Sequence, residues 1–254
     1  MRRVEYQTFF KEGVQALKAA GRYRVFVALE RQTEKHPCAL WHRPDGSVRE
    51  VISWCSNDYL DMRQQQALLA AAKLTLGPEG TGGTHNIAGC SDFHVETDTE
   101  IADLHGREAA LLMPSGYVPN EPALGAVGGM LPNAILLSNK KQSGQKSSGQ
   151  QRQAALPQEK VAAANLPRLP SLSYIVPLHV GDATASKQAS EMLLQDFGIC
   201  VQPIDHPTVL RDTERLRFTP GPMHENRMIE ELVMALQYVW TTLVLPCGRH
   251  LNTA

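Results

Sequence analysis

Ala109-Ala110-Leu111-Leu112-Met113 runs directly into Pro114-Ser115-Gly116-Tyr117, a short apolar run closed by a turn of small residues. A run of that length reads as one strand of a buried parallel sheet, and Ala134-Ile135-Leu136-Leu137 reads the same way. Strand, small-residue turn and helix in succession is the grammar of an α/β protein. The turn at Ser115, Gly116 and Tyr117 would then present backbone N–H groups at a helix N-terminus, where phosphates bind.

Working outward, Phe9, Phe10, Val14 and Leu17 recur at spacings of three and four, which predicts an amphipathic helix from Tyr6 to Ala20 that stops at Gly21. Val51-Ile52-Ser53-Trp54-Cys55 reads as a strand after the turn Pro44-Asp45-Gly46. A helix is expected around 64–76, then the glycine-rich loop Gly77 to Thr84, built for close backbone approach. The next helix, Phe93 to His105, has Ser91 or Asp92 as cap and Gly106 as stop, with Ile101 and Leu104 expected to face inward. From Lys140 to Pro170 the sequence is rich in Gln, Ser, Ala and Pro, with six Lys/Arg and one acid, and reads as a disordered linker. Order is expected again in a strand at 173–180, a helix from Thr184 to Phe197 closed by Gly198, and a strand at 199–204. A further strand at 215–220 carries Arg215 and Arg217 on one face, and a last helix spans 225–244.

The 254 residues carry 25 Lys+Arg against 26 Asp+Glu, so no global basic field invites nucleic acid or an anionic membrane. No apolar run approaches the roughly 18–20 residues of a membrane span, and the polar start of the chain leaves the cytoplasm as the expected location. Five scattered cysteines without a C-x-x-C pattern suggest neither a disulfide framework nor a zinc site, and no metal is expected. His179, His206 and His224 also lack metal-ligand spacing and read as structural or exposed.

Several stretches together resemble the α-oxoamine synthases, pyridoxal-phosphate enzymes of the aspartate-aminotransferase fold type. They are Gly21-Arg22-Tyr23-Arg24, Trp54-Cys55-Ser56-Asn57-Asp58-Tyr59-Leu60, Gly82-Gly83-Thr84-His85-Asn86-Ile87-Ala88-Gly89, Ala102 to Ala110, Gly198 to Ile204, and Pro207-Thr208-Val209 through Pro220. The Arg-Tyr-Arg and Pro-Thr-Val pieces favour the aminolevulinate branch. The resemblance implies condensation of glycine with succinyl-CoA, losing CO₂ and CoA, at the start of tetrapyrrole synthesis, and a homodimer. It implies that Arg217 and Asn57 hold the glycine carboxylate, and that Arg24, Thr84 and Asn86 meet the succinyl carboxylate. It also implies that Ser115, Gly116 and Tyr117 cradle the cofactor phosphate. His85 departs from the family, where arginine is usual.

Three family segments do not occur in the sequence: the Asn-His-Ala-Ser stretch that stacks on the cofactor ring, the Asp-Glu-x-His segment for the ring nitrogen, and the Gly-Lys-Ala segment of the Schiff-base lysine. No catalytic residue is therefore assigned, because pyridoxal phosphate chemistry depends on that lysine and acid. The expected fold is α/β, an incomplete fold type I large domain plus a small α+β C-terminal domain. Its divisions are an N-terminal helix and arm (1–50), the large-domain remnant (51–139), the polar linker (140–170), the small domain (171–245) and a tail (246–254). The chain is expected to lack turnover and to be poorly soluble alone, since lost strands leave apolar faces and edges bare. The alternative is an inactive remnant that acts as a dimerising partner of a full-length relative.

Overall fold

The computed structural model describes residues 6–23, 25–32, 35–58, 62, 65–75, 92–113, 115, 118–120, 125, 130, 148–171 and 173–248. They form two units, residues 1–71 with 144–254 and residues 72–143. In the larger unit Trp54 of the first third shares one core with residues of the last third.

In the larger unit, α1 (Tyr6–Ala19) leads to β1 (Ala28–Arg31), β2 (Cys38–His42) and β3 (Val48–Ser53). The three strands form an antiparallel meander. Its second turn is tight: Arg43 N–H donates to Ser47 O at 2.9 Å, and Gly46 sits at φ +83°, a conformation glycine adopts without steric cost. The Asp45 carboxylate accepts from the hydroxyl and N–H of Ser47, which hold its pKa below the usual value. α2 (Gln66–Thr75) follows, and the smaller unit carries α3 (Asp92–Leu104).

The C-terminal part brings α4 (Ser148–Ala163), β4 (Val176–His179), α5 (Ala183–Phe197), β5 (Ile199–Cys200), β6 (Gln202–Ile204), β7 (Arg215–Phe218) and α6 (Asn226–Thr242). β5 adds in parallel to β3, with Ile52 opposite Ile199, completing a sheet ordered β1-β2-β3-β5. The second sheet, β4-β7-β6, is antiparallel, with Leu178 and Pro203 on either side of Leu216. Trp54, Leu178, Leu193, Leu216, Phe218, Leu232 and Leu236 form the core between these elements.

α5 starts and stops where its sequence says it should. The Asp182 carboxylate accepts from Ala185 N–H at 2.7 Å, an N-cap that contributes about 1 kcal/mol. Gly198 closes the helix at φ +68°, where a Cβ would also sit 3.4 Å from Glu50 O.

Four expectations are corrected. The tract read as a disordered linker contains α4, and Val161 and Leu166 are buried in the main core while Lys160 pairs with Glu230 at 2.7 Å. Its Gln, Lys, Arg and Ala residues are good helix formers, so polar composition alone does not mark disorder. The single strand expected at 199–204 divides at buried Val201, whose carbonyl accepts from Ser190 Oγ, and its halves join different sheets. On α3 the buried residue is Ala102, whereas Leu104 is 80% exposed. Residues 109–113 form no strand; Leu111 is 65% exposed, and Leu112 N–H donates to Asp98 instead of to a neighbouring strand. The strand expected at 134–137 and the loop at 77–84 lie outside the described residues.

Candidate ligand-binding site

Arg217 lies at the middle of β7, opposite Pro177 of β4 and Gln202 of β6, with its side chain half-buried on the face opposite the buried Leu216 and Phe218. Strand alternation places Arg215 on the same face. The two arginines differ in what they hold. Arg215 Nε donates to Thr213 O and its NH2 to Thr213 Oγ1, and burial lowers its pKa. Arg217 makes no hydrogen bond or ion pair with any other described residue. A half-buried guanidinium with five free donors is a fork for a carboxylate.

Two residues beyond Arg217, the chain locks onto the segment that carries Asn57. Thr219 N–H donates to Trp54 O at 2.7 Å, and its hydroxyl donates to Ser56 O at 2.9 Å. Ser56 Oγ in turn accepts from Asp58 N–H, so backbone contacts hold the exposed Asn57 on both sides. Arg217 also lies close enough to Cys55 for its charge to lower that thiol's pKa. The structure therefore brings together the segments of Asn57 and Arg217.

His224 completes the lock and was not legible as more than a structural histidine. Its Nδ1 accepts from Gly221 N–H at 2.9 Å, which leaves the proton on Nε2 to donate to Ser53 O at 3.1 Å. The ring lies 4.1 Å from the Trp54 ring, and burial drives its pKa down to about 4. The sequence signal for it was position alone, five residues after Thr219.

Of the other expected site residues, only Ser115 is among the described ones. Ser115 belongs to the smaller unit, is exposed, and its Oγ accepts from Val118 N–H at 3.3 Å. Arg24, Thr84, Asn86, Gly116 and Tyr117 lie outside the described residues, as does His85. A cleft of about 260 Å³ in the smaller unit, between α3 and residues 108–110, contains none of the expected residues.

The described lysines do not fit the aldehyde of pyridoxal phosphate. Lys11, Lys18, Lys35 and Lys73 are exposed, with Lys18 over the Tyr23 ring. Lys160 pairs with Glu230 and Lys187 with Glu191. An amine poised for Schiff-base chemistry needs desolvation without a carboxylate partner, and none of the six has it. Lys140, Lys141 and Lys146 lie outside the described residues. No group of three or more metal-ligating side chains occurs among the described residues, and no helix there is long and apolar enough to cross a membrane.

Residues 49–140 and 126–236 match the family model for aminotransferase class I and II. The second match includes 140–170, so the tract read as a linker belongs to the matched region. The chain is 29% identical to a 5-aminolevulinate synthase of Bradyrhizobium diazoefficiens, covering 96% of this chain and 98% of that protein. That alignment has 401 positions, 147 more than this chain has residues, so a long block of the relative has no counterpart here. A 5-aminolevulinate synthase 2 of Cereibacter sphaeroides is 45% identical over 138 residues, 54% of this chain and 34% of that protein. Among solved structures, a serine palmitoyltransferase of Sphingomonas wittichii superposes with a TM-score of 0.72 at 12% identity, covering 96% of this chain and 99% of that one. Another from S. paucimobilis, bound to a pyridoxal phosphate–myriocin aldimine, gives 0.71 at 13% identity, covering 96% and 100%.

Proposed function

Because the chain belongs to the aminotransferase class I and II family, we propose that it is a catalytically silent relative of the 5-aminolevulinate synthases, which holds the glycine carboxylate on Arg217 and Asn57 without condensing it with succinyl-CoA. The observation that carries this reading is the unspent guanidinium of Arg217, half-buried and tied through Thr219 to the segment of Asn57. The family cofactor, pyridoxal phosphate, supplies an electron sink when it is bound, and the described lysines offer it no anchor. No step is assigned to it in this chain.

Saturation-transfer NMR with glycine is expected to show contact with the protein. A charge-assisted bidentate pair contributes about 1.5–3 kcal/mol, so Arg217→Ala should weaken binding roughly ten- to hundredfold. Mixing with pyridoxal phosphate and reducing with borohydride should label lysines only diffusely. Unchanged glycine contact in Arg217→Ala, a single stoichiometric labelled lysine, or 5-aminolevulinate formed from glycine and succinyl-CoA would each overturn the proposal.

One observation favours a second reading, association with a complete relative. Phe9 and Phe10 of α1 are 63% and 64% exposed, and Val14 and Leu17 of the same row are also open. Such a row covers itself against another surface. A mixture with a full-length synthase is expected to co-elute on size exclusion, and Phe9→Ser/Phe10→Ser to elute apart; separate elution of the unaltered chain would exclude this reading.

A further inference from the structure

Four described cysteines are free thiols: Cys38 and Cys55 are half-buried, Cys200 is buried and Cys247 is exposed. Two of them meet across the parallel junction of β3 and β5. Ser53 is the register partner of Cys200, and Trp54 N–H donates to Cys200 O at 2.8 Å. Alternate residues of an extended chain share a face, so Cys55 follows Ser53 onto the side of Cys200. There the two thiols are neighbours in a small apolar cluster with Ala39, Trp41, Val51 and Leu194.

The two thiols occupy different electrostatic settings. The neighbouring Cys200 thiol, with Ser53 and the charges of Arg31 and Arg217, outweighs burial and pulls the Cys55 pKa down to about 7. Cys200 moves strongly the other way, through the neighbouring Cys55 and its own burial. Cys38, equally half-buried, is pushed up by burial and by Glu50. Thiolate character together with access decides which cysteine reacts with an oxidant.

We propose that Cys55 and Cys200 form a peroxide-reactive dithiol, in which Cys55 attacks and Cys200 resolves. The Cys55 thiolate attacks one oxygen of hydrogen peroxide, the O–O bond breaks, and hydroxide leaves, so Cys55 carries a sulfenic acid. Cys200 sulfur then gives up its proton, attacks Cys55 sulfur, and breaks the S–O bond as water departs. Two thiols are oxidised by two electrons and one peroxide is reduced to two waters. The order follows from access, because Cys200 is only 1% exposed and meets Cys55 before it can meet solvent. The disulfide would fasten the segment leading to Asn57 onto β5. This inference does not depend on glycine binding or on the family cofactor.

The test is to expose the full chain to hydrogen peroxide, cap the remaining thiols with N-ethylmaleimide and map the peptides. A Cys55–Cys200 cross-linked peptide is expected, about 2 Da lighter than the two thiol peptides combined and released by dithiothreitol. Cys200→Ser should leave a sulfenic acid at Cys55 that dimedone traps, and Cys55→Ser should leave Cys200 reduced. A disulfide involving Cys38 or Cys247, oxidation of Cys200 in Cys55→Ser, or a Cys55 that stays reduced at doses that oxidise exposed Cys247 would overturn the proposal.

Discussion

Trp54→Ala is expected to cost about 3–5 kcal/mol, a large share of the roughly 5–15 kcal/mol that ordinarily holds a domain together. The side chain is fully buried in the main core. Its backbone joins elements distant in sequence: Trp54 N–H donates to Cys200 O, and its carbonyl accepts from Thr219 N–H. Removing the ring opens a cavity beside the His224 ring, in the core that also holds residues of β7. The indole Nε1 is buried without a hydrogen-bond partner, so the ring contributes as apolar volume and its N–H is a cost. Trp54→Phe, which deletes that orphan donor and keeps most of the volume, should therefore lose only about 1–2 kcal/mol. Urea unfolding midpoints of both variants check this; equal losses would show that the indole N–H matters and the volume does not.

The second large effect is a dependence of stability on pH carried by His224. Its ring is neutral in the folded protein because burial drives its pKa to about 4, while the unfolded chain titrates at the ordinary value near 6.5. As pH falls from 6.5 to 4 the unfolded chain takes up the proton first, so stability is full above this window and is lost through it. The loss reaches about 3 kcal/mol. Structurally, protonation of Nδ1 abolishes the bond from Gly221 N–H and loosens the turn after Thr219. Urea unfolding at pH 7 and pH 4.5 should show this fall in the unaltered protein. In His224→Asn, which cannot take the proton, stability should start lower and fall less between the two pH values. Equal falls would assign the pH dependence to other groups.

Local signals were read most faithfully where they act locally. Gly198 closes α5 as expected because a positive-φ glycine works through its own neighbours, whereas the Asp182 cap was not singled out. The break at Val201 was invisible because it depends on two partners, β3 and β7, far away in sequence. α4 was misjudged because its anchoring residues, Leu156 and Val161, are sparse among polar helix formers. For the site, motif resemblance singled out Arg217 and Asn57, yet the contact that joins their segments is made by Thr219 with main-chain oxygens. Such a contact leaves no periodic trace. The strand expected at 109–113 failed for the complementary reason: an apolar run states a need for burial without naming what will bury it.

The β3–β5 pair also sets a schedule for synthesis. Ile52 and Ile199 are register partners 147 residues apart. At ordinary elongation rates of about 5–20 residues per second, β3 emerges roughly 7–30 seconds before the strand that covers its free edge. During that interval the N-terminal meander displays a row of unpaired peptide groups, the usual template for unwanted strand addition. The hazard therefore falls on the nascent chain, and a faster ribosome would shorten it without changing any contact in the finished fold.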